Sequence, residues 1–76
     1  MPAKRSAAVR ALGEAIRAAR REQGYGQEGF AAHAGLDRAY YSAIERGEFN
    51  ITLNTLLKIA GGLGIRASSL LRRAGL

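Results

Sequence analysis

Apolar residues recur at helical spacing along almost the whole chain. Val9, Leu12, Ile16 and Ala19 fall at i, i+3, i+7 and i+10, which predicts an amphipathic helix from about Ala7 to Gln23. Its polar face carries Arg10, Glu14, Arg17, Arg21 and Glu22, and Gly24 stops it. A second helix is expected from about Gln27 to Ala34, with Phe30, Ala31 and Ala34 on its inner face. Gly35 leaves that helix, Leu36 supplies an apolar plug, and Asp37 stands where an N-cap is wanted for a third helix from Arg38. At about 100° per residue, Tyr41, Ile44 and Glu45 share one side of this helix. Arg38, Ala39, Ser42, Ala43 and Arg46 share the other, and Gly47 ends the helix. After a loop from Glu48 to Ile51, Thr52 is placed to cap a fourth helix running to about Gly62, with Leu53, Leu56, Ile59, Ala60 and Leu63 as its buried stripe. A last short helix from about Ala67 carries Leu70 and Leu71. No segment alternates with period two, so the expected class is all-α, with five helices in one domain (residues 7–76) behind a basic N-terminal arm (residues 1–6).

Composition narrows the function. The 76 residues hold 12 Lys and Arg against 6 Asp and Glu, a formal charge of +6. A small cationic domain favours a polyanionic partner through counterion release. Arginine outnumbers lysine, which suits bidentate recognition of phosphate and guanine. There is no cysteine, which excludes disulfides, thiolate metal sites and cysteine nucleophiles. No stretch approaches the roughly 20 apolar residues of a membrane span, so a cytoplasmic protein without membrane contact is expected. Gly24, Gly26 and Gly29 spell G-x-G-x-x-G, but that fingerprint needs a preceding strand, and an amphipathic helix precedes it here. No serine, histidine and acid group in a supporting context, no paired acids share a face, and the single His33 has no second ligand, so neither an enzyme nor a metal or cofactor site is expected.

Helix, glycine-containing turn and helix over Gln27–Gly47 is the helix-turn-helix layout, whose second helix enters the major groove. The segment resembles the Cro/C1-type, or XRE, helix-turn-helix family in its opening Gln27, the Phe30–Ala31 pair, the turn Gly35, Leu36 and the ending Ile44-Glu45-Arg46-Gly47. The resemblance runs from about Leu12 to Leu71, with two departures: Gly29 where a helix former is usual, and Phe30 in place of a smaller aliphatic residue. It implies a compact Cro/C1-repressor-like domain and a transcriptional regulator that binds double-stranded DNA as a homodimer on a palindromic operator, with no small-molecule effector evident. It also implies Arg20 as the partner of the inward Glu45, a structural ion pair. The stretch LDRAYYSAIERGEFNITLNTLLKIA is most similar in style to the stand-alone controller proteins of restriction-modification systems. A phage-type repressor, an antitoxin and an adaptor that keeps the fold without reading DNA are the alternatives.

The residue types of the third helix assign roles within that reading. Arg38, at its first turn, can offer its fork to guanine O6 and N7 or clamp a phosphate. Ala39 and Ala43 can touch a thymine methyl, Ser42 offers one hydroxyl, and Tyr40 stands at the edge of the helix against a sugar or kinked step. Backbone contacts are expected from Gln27, Arg46, Asn50, Thr52 and Asn54, although Thr52 can serve simply as a cap. The expected dimer surface is Ile65, Leu70, Leu71 and Leu76, helped by Phe49 and Ile51; the alternative is that Ile65 and Leu70 only close the core.

Overall fold

The computed structural model describes the backbone of residues 2–76 and the side chains from Ala7 onward. Five helices follow one another: α1 (Pro2–Glu22), α2 (Gln27–Ala34), α3 (Arg38–Glu45), α4 (Leu53–Leu63) and α5 (Ala67–Arg73). The α1 backbone begins at Pro2 rather than near Ala7, so residues 2–6, read as part of an arm, belong to the helix. The side chains of Lys4 and Arg5 lie outside the described residues. No described helix is long and apolar enough to cross a membrane.

The turn between α2 and α3 forms as its residues dictate. Gly35 takes φ 75°, a left-handed conformation that costs a glycine little, and the Leu36 N–H then reaches back to the Ala31 carbonyl at 2.8 Å. Asp37 stays extended and accepts the Tyr40 N–H at 3.0 Å, satisfying one of the unpaired donors that open α3. Thr52 caps α4 in the same way through the Thr55 N–H at 3.1 Å.

Ile16, Phe30, Tyr41, Ile44, Ile59 and Leu70 are wholly buried and meet at the centre. The Phe30 and Tyr41 rings lie 5.3 Å apart, and Tyr25 meets Phe30 edge-on at 5.4 Å. The bulk of Phe30 is accommodated by Gly62 of α4, where an added Cβ would stand 3.1 Å from the Phe30 Cζ. The aliphatic-to-aromatic departure at Phe30 is thus matched by a missing side chain across the core.

Two expectations about the core need correction. Leu53 is 68% exposed, not buried, and Leu57 is 52% exposed. Thr55 joins Leu56, Ile59, Ala60 and Leu63 on the inner side, which turns the centre of the stripe about 90° away from Leu53. Leu70 is fully enclosed by the core, whereas Ile65 and Leu71 are half-buried against it. Leu70 therefore offers nothing to a dimer surface.

α1 crosses α3 at unusually short range. A Cβ on Gly13 would stand 2.5 Å from the Ile44 carbonyl oxygen and 2.6 Å from that of Glu45. One turn back along α1, Arg10 packs over Gly47, whose φ is 76° and whose added Cβ would lie 2.5 Å from the Arg10 Cγ. Both glycines let the end of α3 rest against α1, which aims the outward face of α3.

Candidate nucleic-acid interface

α3 is anchored from inside by a carboxylate. Glu45 is 3% exposed and accepts from Arg20 Nε at 2.7 Å, Arg20 Nη2 at 3.0 Å, Gln27 Nε2 at 2.8 Å and the Tyr41 hydroxyl. Arg17 adds a longer contact of 3.4 Å. Burial alone would raise the Glu45 carboxyl, but the hydrogen bonds from Arg20, Tyr41 and Gln27 outweigh it and bring it down to about 2. Burial, followed by the hydrogen bond to Glu45, pushes the Tyr41 phenol well above its ordinary range. The hydrogen bond to Glu45 likewise raises Arg20, which spends its remaining reach on the Tyr25 carbonyl at 2.8 Å. Arg20 and Glu45 thus tie α1, the α1–α2 turn and α3 together, and no buried side-chain polar atom among the described residues lacks a partner.

The outward side of α3 is narrower than the sequence implied. Arg38, Ala39, Ser42 and Arg46 line a shallow concavity of about 270 Å³. Ala43 is 4% exposed and cannot reach a base. The chain turns back after Gly47, the Glu48 N–H donates to the Ala43 carbonyl at 3.0 Å, and Phe49 meets Tyr40 with ring centroids 5.6 Å apart. Tyr40 is half-buried between Phe49 and α4, its hydroxyl 3.4 Å from Thr55 Oγ1. Arg38 and Ala39 are exposed.

Gln27 does not present its amide outward. Its Nε2 donates to Glu45, and its Oε1 accepts from Ser42 Oγ at 3.3 Å. Ser42 in turn accepts from Arg46 Nη1 at 2.8 Å, and Arg46 grips Glu48 through Nε at 2.9 Å and Nη2 at 3.2 Å. A chain of side chains therefore runs from the buried Glu45 through Gln27, Ser42 and Arg46 to Glu48 at the surface. Within the exposed pair, the hydrogen bond from Arg46 lowers the Glu48 carboxyl below its ordinary value. The sequence reading missed Glu48, whose spacing of two from Arg46 across Gly47 has no helical signature. Asn50, Thr52 and Asn54 are exposed beside this face, with the Thr52 hydroxyl already engaged in capping α4.

Among the described residues, Phe49, Leu53, Leu57 and Leu76 are large apolar side chains left in solvent. Phe49 and Leu76 were expected there; the Leu53–Leu57 pair, four residues apart on one face of α4, was not. His33, on the exposed side of α2, stacks on Tyr25 at 5.1 Å with Nε2 3.1 Å from the Gly62 carbonyl, a packing role between α2 and α4. Among the described residues no group of His, Asp or Glu is arranged to hold a metal ion.

This arrangement agrees with that of known proteins. A family profile described as helix-turn-helix matches residues 16–70. The control protein C.MunI of a Mycoplasma species is 57% identical over 44 residues, 58% of this chain and 60% of its own length, so the chain spans under two thirds of that relative. The control protein C.SmaI of Serratia marcescens is 40% identical over 65 residues, 86% of this chain and 77% of its own. The crystal structure of the restriction-modification controller protein C.AhdI from Aeromonas hydrophila superposes with a TM-score of 0.79 at 37% identity, covering 82% of this chain and 94% of that one. On its motif, its five helices and these matches, the chain belongs to the helix-turn-helix family of the Cro/C1 (XRE) type.

Proposed function

We propose that the protein is a transcriptional regulator of the controller type, binding double-stranded DNA in the cytoplasm as a homodimer on a palindromic operator. The observation that carries this reading is the outward stripe of α3. Arg38, Ala39, Ser42 and Arg46 form a face that is small in its middle with an arginine at each end, on a helix whose inner side is locked by Glu45. Such a face can enter a major groove, and Arg38 is the residue assigned to a guanine edge. Asn50, Thr52 and Asn54 flank it as backbone contacts. Similarity to control proteins from restriction-modification systems supports the regulatory assignment. The function is one of binding, with no catalytic step.

One recognition helix reads too few base pairs to select a site in a genome, and twofold symmetry doubles the information. Of the residues expected to meet the second copy, Phe49 and Leu76 are exposed, and Leu53 and Leu57 on α4 are added here beside Phe49 as the proposed dimer surface. Selection of duplexes from a random pool at fixed near-physiological salt tests the whole reading. An inverted repeat with half-sites about one helical turn apart is the expected product. Binding that fades steeply with salt and enriches no sequence would leave only the phosphate interaction and favour an adaptor.

A further inference from the structure

Arg46 was assigned to the DNA backbone by its position alone, and its surroundings argue otherwise. A phosphate contact asks only for a cation with N–H groups to spare, whereas a base edge asks for a fork held in one direction. Here the guanidinium is fixed at three points: Glu48 takes Nε and Nη2, the side-on edge of the group, and Ser42 takes one N–H of Nη1. Ser42 is itself held by Gln27, and Gln27 by the buried Glu45, so the restraint leads back to the core. One N–H on each terminal nitrogen is left over beside the concavity shared with Arg38 and Ala39. Two such donors match the O6 and N7 acceptors of guanine.

We propose that Glu48 is a positioning residue that presents Arg46 to a guanine edge, so that each half-site is read by Arg46 as well as by Arg38. The two arginines are eight residues apart, about 12 Å along the helix at 1.5 Å per residue. That distance corresponds to three or four base steps at about 3.4 Å each. The same pairing makes Arg46 nearly neutral toward phosphate, so it adds little to counterion release. An exposed pair of this kind contributes little to folding, which leaves geometry as the consequence of keeping an acid on a face that approaches DNA.

The inference rests on the DNA-reading function proposed above, and its test separates the two. Fluorescence anisotropy on the full chain compares the best selected duplex, the same duplex with each half-site guanine replaced in turn, and a scrambled duplex, over a range of salt. Glu48→Gln is expected to bind the scrambled duplex more tightly, and to steepen the slope of log affinity against log salt by up to about 0.9 as Arg46 becomes free to pair with phosphate. It should also lose roughly fivefold or more of the discrimination at one guanine, the low end of one bidentate base contact. Arg46→Lys should lose discrimination at that same guanine. Tighter binding of every duplex by Glu48→Gln with the ratios unchanged would overturn the proposal, leaving Glu48 as a repelling charge only. Equal weakening of every duplex would overturn it as well, in favour of a support for the loop. A wild-type protein without sequence preference would remove the function itself.

Discussion

Glu45 and Glu48 stand three residues apart at the end of one helix, and each is gripped by two nitrogens of a single arginine. Glu45 is enclosed, shares its oxygens among Arg20, Gln27 and Tyr41, and joins α3 to α1. Glu48 lies in solvent with its side chain 55% exposed and, among the described residues, pairs with Arg46 two positions back. In the interior, an unpaired charge is costly, so loss of either partner is felt by the fold. At the surface, water and salt replace the lost partner, so the consequence is confined to where Arg46 points. The same pair of residue types therefore holds the fold in one place and, on the proposal above, sets the direction of Arg46 in the other.

The largest expected effect is on the interior pair. Arg20→Ala leaves Glu45 buried beside only Gln27, Tyr41 and the more distant Arg17, and should cost about 3–5 kcal/mol in urea unfolding. Glu45 carries the same dependence into pH. Its folded value of about 2 lies below the 4.5 of a free glutamate, so the unfolded chain binds a proton first and stability falls as pH drops. The contribution is complete above about 4.5 and is lost as pH falls toward 2; at 1.36 kcal/mol per unit it amounts to about 3 kcal/mol. A melting temperature that stayed flat through that window would show that Glu45 is not held as described.

Gly13→Ala comes next. Its Cβ meets two backbone carbonyls at the end of α3, so α1 must shift, at a cost of about 1–3 kcal/mol. Gly29→Ala has the opposite sign. Nothing lies within 4 Å of an added Cβ there, and replacing a helical glycine should raise stability by up to about 1 kcal/mol. Glu48→Gln should leave stability essentially unchanged, which contrasts it directly with Arg20→Ala. Thermal and urea unfolding of these variants read all three.

What was legible in the sequence was what local chemistry decides. Gly35 and Asp37 mark the turn because φ > 0 and a capping carboxylate are needs of the two residues themselves. Arg20 and Glu45 came from the family pattern, since residues so far apart have no local signal for each other. Ala43 and Leu53 were misplaced for a common reason: a helical wheel gives direction but not what covers it. Ala43 is enclosed although it lies beside the outward residues on the wheel, and Thr55 takes the inner side of α4 that Leu53 was given. Gly13 was silent because a glycine inside a helical pattern reads as a weakness until the neighbouring carbonyls are seen. Leu53 and Leu57 did carry a signal, an apolar i, i+4 pair beyond what the core stripe requires.

On the function proposed above, the outward stripe of α3 reads sequence while its inner side holds the helix in place. The direct measurement is the affinity of Arg38→Ala for the best selected duplex and for a one-base variant of it, with the melting temperature recorded alongside. Unchanged melting, with roughly 5- to 100-fold loss of discrimination at one guanine, is the predicted result. An Arg38→Ala protein that melts normally and keeps the full wild-type preference would contradict the account.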